Sequence, residues 1–392
     1  MAKIGTEEKK YLDQVLSNRF RTSYNGYMVN KLEDRVKSLY NKKYAIAHCN
    51  GTATLHTALL AAGVGVGDFV ITTPLTMSSP SIAIRLCGAT PIYVDVNPVT
   101  WNLDFTQVKR KYLAKAKAII GVSLYGLPCD FDWYNKHLKP GFPKVVTIND
   151  SAEQLAPFDC GADIISLSYQ ASKQLSCGEG GMILTDREDL ADAIRQYSNL
   201  GYPIVKFGGL RNNIKQFHAI RHEVLGFNYR MSDLQAAVML GQYETTIMKS
   251  NLDARVESAQ NYNEEFRKYP EFTPQCNYNE VLTKNHSYWT YAVDCGEFAS
   301  KILANGFLAS ELYPVWELAY KEPALKMDCF CPVAERLSKS ILQYPTHYSR
   351  SYGKDLVETS YRQAHSNKIK EYTDDSLADM SVDPLDVGNM LV

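Results

Sequence analysis

Residues 164–185, IISLSYQASKQLSCGEGGMILT, decide the fold, because two apolar runs flank a polar segment that ends in several glycines. The outer runs IISLS and GMILT are rich in β-branched and apolar residues, which is typical of strands covered on both faces. The residues GEGG permit a tight turn back into the second run. The stretch therefore predicts two buried strands whose connection lies at the end of a sheet.

Similar runs recur from about residue 44 to residue 185 and alternate with helical patterns. Segments such as TATLHTALLAAG close with glycine, as helix C-termini often do. This alternation predicts an α/β fold with a mostly parallel central sheet and helices on both faces. The further predicted strands are YAIAHC, FVIT, PIYVDV, KAIIGVSLY and KVVTIND.

The pattern predicts three regions along the chain. Residues 1–245 form a large domain that ends in the helical run MSDLQAAVMLGQYETTIM, which is preceded by an active-site loop at 206–224. Residues 246–350 have enough helical and strand patterns for a small C-terminal α+β domain. Residues 351–392 are polar and end in DDSLADMSVDPLDV, which buries little apolar surface and predicts a mobile tail.

Charge and cysteine usage exclude several classes of protein. Lys and Arg number 42 against 43 Asp and Glu, without the basic block that binds nucleic acid. Neither an apolar N-terminal segment nor a long apolar run occurs, so we expect a cytoplasmic protein outside the membrane. The nine cysteines lack CxxC pairs, and only Cys329 and Cys331 are close in sequence. We therefore expect buried, reduced thiols and neither a metal site nor other cysteine chemistry.

A turn after the first predicted strand is a candidate phosphate site. Asn50, Gly51, Thr52 and Ala53 follow YAIAHC and precede a helical pattern, at the carboxyl end of a strand where open α/β sheets bind ligands. The backbone N–H groups and the dipole at a helix start attract phosphate, and glycine allows close approach. The same pattern also occurs in ordinary α/β proteins without a ligand.

Asp150 ends the apolar run KVVTIND and is the second candidate. A carboxylate at a strand end suits a partner that holds a proton on the pyridine nitrogen of pyridoxal 5′-phosphate (PLP) and so makes the ring an electron sink. An aspartate in this position equally often caps the following turn. The residue alone leaves both roles open.

Lys173 is the third candidate, between two buried strands and five residues before the start of GEGG. A partly desolvated lysine amine can form a Schiff base with an aldehyde and later transfer protons. The hydroxyl of Ser168, five residues upstream, is placed to bind a phosphate at the other end of the same ligand. Most single lysines are solvated surface residues, but the buried flanking strands favour a catalytic role here.

The order and spacing of these segments resemble the DegT/StrS family of sugar aminotransferases over about residues 6–348. The resemblance implies the PLP-dependent transferase fold type I of aspartate aminotransferase, PLP as cofactor, and a homodimer whose active sites lie at the subunit interface. The segments that carry it are NGTATLHTAL, GATPIYVDVNPVTWNLD, VSLYG, INDSAEQ, SLSYQASKQLSCGEGGMILTD and LGFNYRMSDLQAAV.

The resemblance also assigns roles to individual residues. It implies that Lys173 is the Schiff-base lysine and general acid/base, and that Asp150 is the partner of the pyridine nitrogen. Glu153 would lie near the ring hydroxyl, and Tyr229 and Arg230 would contact substrate unless the arginine is a buried structural residue. The remaining implied cofactor contacts are to the phosphate, from Gly51, Thr52, Ala53 and Ser168, and from Asn228 of the neighbouring subunit.

Three features depart from the family pattern. Met77 stands where an aromatic residue commonly covers the cofactor ring, a role that a polarisable thioether can also fill. The stretch 155–163 is shorter than the usual loop after the aspartate. The tail after Ser351 replaces the helix that usually closes the small domain. The loop and the tail bear on the substrate pocket and the oligomer rather than on the cofactor.

The resemblance implies a ping-pong transamination in two halves. Glutamate or glutamine would donate the amino group to the cofactor, which would then aminate the ketone of a nucleotide-linked deoxysugar for glycan or polysaccharide biosynthesis. We favour a 4-keto-6-deoxy sugar. One alternative is a PLP-dependent sugar dehydratase of the same family, against which Lys173 argues because those relatives carry histidine there. The other is a catalytically silent sensor or scaffold, which the short loop keeps open.

Overall fold

The computed structural model describes residues 4–18, 26–202, 222–346 and 350–366. Within these ranges the strands are β1 (Tyr44–His48), β2 (Phe69–Thr72), β3 (Thr90–Tyr93), β4 (Ala116–Val122), β5 (Val146–Asp150), β6 (Ile164–Ser168), β7 (Gly181–Thr185), β8 (Thr273–Pro274), β9 (Tyr291–Asp294), β10 (Tyr313–Pro314) and β11 (Ile341–Tyr344). The α-helices are α1 (Thr6–Leu16), α2 (Tyr27–Leu39), α3 (Gly51–Ala61), α4 (Ser79–Leu86), α5 (Arg110–Leu113), α6 (Asp132–His137), α7 (Glu188–Ser198), α8 (Asp233–Glu244), α9 (Ile247–Phe266), α10 (Glu280–Thr283), α11 (Ala299–Leu303), α12 (Gly306–Glu311), α13 (Pro332–Leu337) and α14 (Arg350–Ala364).

The larger sheet has seven strands in the order β1-β7-β6-β5-β4-β2-β3. All neighbouring pairs are parallel except those of β7, which runs antiparallel to both β1 and β6. The predicted mostly parallel α/β sheet is therefore confirmed. Because β7 is reversed, its first residue Gly181 lies opposite both His48 and Ser168, the last residues of β1 and β6. We call this side of the sheet the carboxyl edge.

Helices cover both faces of this sheet, and the strands alternate between two cores. In β6, Ile165 and Leu167 pack into the core formed with α1, α2 and α8, whereas Ile164 packs into the core formed with α3, α4 and α7. Successive strand residues point to opposite faces, so a strand buried on both sides is apolar throughout. Each such side chain contributes about 1.5–3 kcal/mol when it is fully buried.

The second sheet is antiparallel, with strand order β10-β11-β9-β8. One of its faces packs on α9 and α14 around Tyr262 and Phe266. The other face contributes Ala292 and Ile341 to a core shared with Tyr125 and other residues near the carboxyl edge. The small sheet is thus held directly beside the ends of the large-sheet strands. The division that we propose near residue 246 falls between α8 and α9.

Helix α14 corrects the expectation of a mobile tail that begins at Ser351 and replaces the closing helix. Leu356 and Val357 are fully buried, and the Tyr344 hydroxyl donates to Ser360 Oγ at 2.9 Å. This helix closes the small domain. Its few apolar residues are enough to hold it there because they pack on α9. Residues 367–392 of the predicted tail, and residues 206–221 of the predicted active-site loop, lie outside the described residues. No helix in the described part of the chain is long and apolar enough to cross a membrane.

Candidate active site

Helix α3 begins at the carboxyl edge and directs its first turn toward the end of β6. Asn50 caps the helix, since its Oδ1 accepts the N–H of Ala53 at 2.8 Å. A Cβ at Gly51 would lie 2.9 Å from Cβ of Ser168, so only glycine allows this close approach. The positive end of α3 and the Ser168 hydroxyl are therefore brought together, and such a pair fits a phosphate group.

Two further details refine the predicted phosphate contacts. The N–H of Ala53 is used by Asn50, so the donors that the first turn can offer a ligand come from Gly51 and Thr52. The Thr52 hydroxyl lies 2.8 Å from Ser79 Oγ at the start of α4. The structure therefore gathers Gly51, Thr52 and Ser168 in one place, with Ala53 inside the capping turn.

Asp150 ends β5 at the same edge and is 6% exposed. Among the described residues, only the N–H of Ala152 donates to its carboxylate, at 3.1 Å. Burial raises the pKa of Asp150 to about 6, although the Ala152 N–H and the charge of Lys173 act in the opposite direction. A buried carboxylate with one donor fits a cationic N–H partner, and the protonated pyridine nitrogen of PLP is such a partner.

Lys173 extends its amine toward two groups that the sequence pattern did not connect with it. Its Nζ lies 3.6 Å from Glu153 Oε1 and 4.5 Å from the centre of the Trp289 ring. The lysine and glutamate side chains are only 15% and 13% exposed. The charge of Lys173 also acts to lower the pKa of Asp150, which ends β5 at the same edge of the sheet.

Glu153 is held from two sides. Its Oε2 accepts the backbone N–H of Tyr125 at 2.7 Å, and its carbonyl accepts from Gln174 Nε2 at 2.8 Å. The Tyr125 backbone has φ of 60°, an uncommon conformation for a residue other than glycine, which places it in the turn after β4. Because Gln174 is the residue after Lys173, the glutamate and the lysine segment are fixed to each other. The predicted position of Glu153 near the cofactor ring fits this arrangement.

Trp289 is a site residue that sequence reasoning missed. It precedes β9 of the small sheet, and its Nε1 donates to the carbonyl oxygen of Ser172 at 3.1 Å. In the sequence it belongs to the strand pattern HSYWTYAVDC, where an aromatic residue is ordinary. Only the packing of the small sheet beside the carboxyl edge brings it to Lys173, so no local signal predicts the contact.

The segment that resumes at residue 222 contacts the carboxyl edge beside β1. The carbonyl of Tyr229 accepts the Cys49 N–H at 2.8 Å, and its hydroxyl lies 3.0 Å from His56 Nδ1. Arg230 donates to Asn199 Oδ1 at 2.9 Å, which agrees with a structural role, while Asn228 is exposed. The pairing of Asn199 with Asn228 fixes the backbone at this point.

Met77 does not cover a buried space within this single chain. Its side chain is 56% exposed, and its sulfur accepts the backbone N–H of Ser79 at 3.1 Å. It stands between β2 and α4, close to Thr52 through Ser79. Its predicted contact with the cofactor ring stays a prediction.

A candidate phosphate site, a buried carboxylate and a lysine amine thus lie at one edge of an α/β sheet. A match to the DegT/DnrJ/EryC1/StrS aminotransferase family extends over residues 2–354. The chain belongs to this family. It is a PLP-dependent aminotransferase, and the predicted family, enzyme class and cofactor are confirmed.

Similar proteins of known name agree with this membership. The aminotransferase is 32% identical over 332 residues to the UDP-2-acetamido-2-deoxy-3-oxo-D-glucuronate aminotransferase of Pseudomonas aeruginosa, covering 82% of this chain and 86% of the relative. It is 31% identical over 301 residues to a GDP-perosamine synthase of Caulobacter vibrioides, covering 75% and 76%. The NtdA structure from Bacillus subtilis, solved with bound PMP, has the same fold, with a TM-score of 0.76 at 24% identity and coverage of 92% and 82%.

Proposed function

We propose that this aminotransferase transfers an amino group from an amino acid to a keto-sugar carried on a nucleotide. The observation that carries the proposal is the position of the Lys173 amine, close to Glu153 and Trp289 and in the same site as the buried Asp150. Both named relatives act, by their names, in nucleotide-sugar chemistry. The described residues provide what transamination requires at the cofactor.

Each residue has a distinct task in this proposal. Lys173 attaches the cofactor covalently and moves protons in both halves of the reaction. Asp150 keeps the ring nitrogen protonated, because a buried carboxylate favours a cation beside it. Gly51 and Thr52 donate backbone N–H groups to the phosphate together with the Ser168 hydroxyl. When bound, PLP would supply the electron sink that transamination requires.

Glu153 provides a negative charge that stabilises the Lys173 ammonium when the lysine is not bonded to the cofactor. Its carboxylate lies 3.6 Å from Lys173 Nζ and is fixed by the Tyr125 N–H. In this position Glu153 holds the free Lys173 ammonium within the site. The ammonium then stays close to the atom to which it must return a proton. The same placement supports the proposal that Glu153 lies near the ring hydroxyl of the bound cofactor.

For the substrates, we propose glutamate or glutamine as donor and a 4-keto-6-deoxy sugar as acceptor, in glycan or polysaccharide biosynthesis. The likeness to GDP-perosamine synthase supports the sugar, whereas the Pseudomonas relative is named for a 3-oxo sugar. An assay that offers both kinds of nucleotide sugar decides between them. Amination of the 3-oxo compound alone would contradict the proposed sugar without affecting the aminotransferase reaction.

We propose that the enzyme acts as a homodimer in which Asn228 completes the phosphate site of the neighbouring subunit. Asn228 is exposed in the single chain, as a residue that acts across an interface requires. A mixture of Asn228→Ala and Lys173→Ala subunits tests this assignment. In a mixed dimer, one of the two active sites combines the native Lys173 of one subunit with the native Asn228 of the other. We therefore expect the mixture to regain activity that neither variant has alone.

An absorption experiment tests the first half-reaction. With added PLP we expect a band near roughly 410–430 nm in the wild type that glutamate converts to one near roughly 330 nm. Lys173→Ala should show no such conversion, while Lys268→Ala, which changes an exposed lysine of the small domain, should behave as wild type. A wild-type protein that binds PLP without responding to glutamate or glutamine would instead support the silent scaffold. The dehydratase alternative has no support from the site, because Lys173 is in place.

A further inference from the structure

The segment Cys329-Phe330-Cys331 places two thiols side by side just before α13. Their Sγ atoms are 3.9 Å apart. Cys331 is 2% exposed within the core shared by the two sheets, whereas Cys329 is half-buried and Phe330 between them is 75% exposed. Cys331 is thus buried in the core, whereas Cys329 lies in an irregular, half-buried segment before α13.

The other seven cysteines lack this arrangement. Burial raises the pKa of every one of their thiols, which keeps them protonated and unreactive near neutral pH. Cys329 is the exception, because the neighbouring Cys331 thiol and the Phe330 N–H hold its pKa below the usual range, whereas the same contact raises the pKa of Cys331. The pair therefore combines a half-buried thiol that ionises more readily than the other cysteines with a buried thiol, 3.9 Å away, that can react next.

We propose that Cys329 and Cys331 form a reversible thiol–disulfide site that reacts with low-molecular-weight disulfides. The Cys329 thiolate attacks one sulfur of the oxidant, breaks its S–S bond and releases the first small thiolate. Cys331 then loses its proton and attacks Cys329 Sγ, which releases the second small thiolate. In total the two cysteines lose two electrons and two protons, and the oxidant becomes two small thiols.

The local structure decides which cysteine moves when the bond closes. The two sulfurs must approach from 3.9 Å to about 2.05 Å. Cys331 is held by the core and by the start of α13, where Asp95 accepts the N–H groups of Val333 and Ala334 at 2.8 and 2.9 Å. Cys329 lies in an irregular segment beside the exposed Phe330 and can move instead. Closure therefore leaves the contact between α13 and the large domain in place.

The experiment uses the full-length holoenzyme with oxidised glutathione as the probe. After alkylation of the remaining thiols, trypsin cleavage at Lys326 and Arg336 yields one peptide that contains both cysteines and no other. We expect this peptide to lose two hydrogen atoms and to escape alkylation, and dithiothreitol to restore both thiols. Peptides that contain Cys49 and Cys177, the other half-buried thiols, should stay reduced under the same conditions.

Two single variants separate the roles of the sulfurs. Cys331→Ser should accumulate a glutathione adduct on Cys329, because the second attack is missing. Cys329→Ser should leave Cys331 unmodified, because that thiol is buried. The proposal is overturned if the wild type stops at the glutathione adduct, or if Cys49 or Cys177 is oxidised while the peptide with both cysteines stays reduced. These results are independent of whether the proposed substrate is correct.

Discussion

The amine nitrogen of Lys173 lies 4.5 Å from the centre of the Trp289 ring, and the same indole donates its N–H to the carbonyl of Ser172. A cation at this distance from an aromatic face is stabilised by about 0.5–2 kcal/mol. The hydrogen bond fixes the ring to the residue that precedes the lysine. Trp289 thus connects the small sheet to the amine that we propose as catalytic, and we infer that it is a positioning residue.

Substituting Trp289 separates the two contacts. Trp289→Phe retains a ring and loses the N–H, whereas Trp289→Leu loses both, so we expect kcat/KM to fall by roughly 3-fold and 10-fold, respectively. The rate at which cofactor-free protein attaches PLP to Lys173, followed by absorbance, should fall in the same order. Equal values for the two variants would show that the ring face contributes nothing.

Gly51 should tolerate no side chain. In Gly51→Ala the new Cβ would meet Ser168 Cβ at 2.9 Å, so α3 or β6 must shift and the phosphate donors move apart. We expect the dissociation constant for PLP to rise about 10-fold and the unfolding free energy of the cofactor-free protein to fall by about 1–3 kcal/mol. Gly65→Ala is the matched control, since a Cβ there meets nothing within 4 Å. Similar losses in both variants would contradict the steric argument.

The ionised carboxylate of Asp150 should destabilise the cofactor-free protein at neutral pH. Its folded pKa of about 6 lies above the ordinary value of 3.8, so the folded state binds the proton more tightly and stability falls as pH rises between these values. Asp150→Asn should therefore raise the unfolding free energy by about 1–3 kcal/mol at pH ~7.5, with no gain at pH ~3.5.

The same variant should lower kcat about 100-fold with cofactor bound, because the ring nitrogen loses its anionic partner. Asp34→Asn, at a side chain that is 74% exposed, controls for a simple change of charge.

The stability prediction is measured by urea unfolding of Asp150→Asn and Asp34→Asn at the two pH values. A gain for Asp150→Asn that does not depend on pH would rule out titration as its cause.

Leu356 should be essential to the small domain. Leu356→Ala removes a fully buried side chain from the contact between α14 and α9, and such changes cost about 2–5 kcal/mol. Arg362→Ala, on the exposed face of the same helix, should cost less than about 0.5 kcal/mol. Urea unfolding compares the two. Equal small losses would mean that α14 is not part of the small-domain core.

The sheet was predictable, and the candidate site residues at its edge could be selected, because their signals are local. A strand that is apolar on both faces, followed by Asp150 or by a polar segment with Lys173, appears within one continuous stretch of sequence. The contact between Lys173 and Trp289 depends on how two sheets pack, and neither residue has an unusual neighbour in the sequence. Helix α14 was missed for a related reason. Leu356 and Val357 stand among polar residues, and only the surface of α9 makes them a core.

The side chains of β6 alternate between the two faces of the sheet, and this alternation limits how the length of the strand can change. Ile165 and Leu167 belong to one core and Ile164 to the other, and Ser168 follows in the same alternation. Inserting one residue within the strand would exchange the two faces and turn the serine hydroxyl away from Gly51. Changes of length are therefore confined to segments such as 155–163, outside the strands. Loops of this kind can vary in length, while β6 must keep its length for Ser168 to stay beside Gly51.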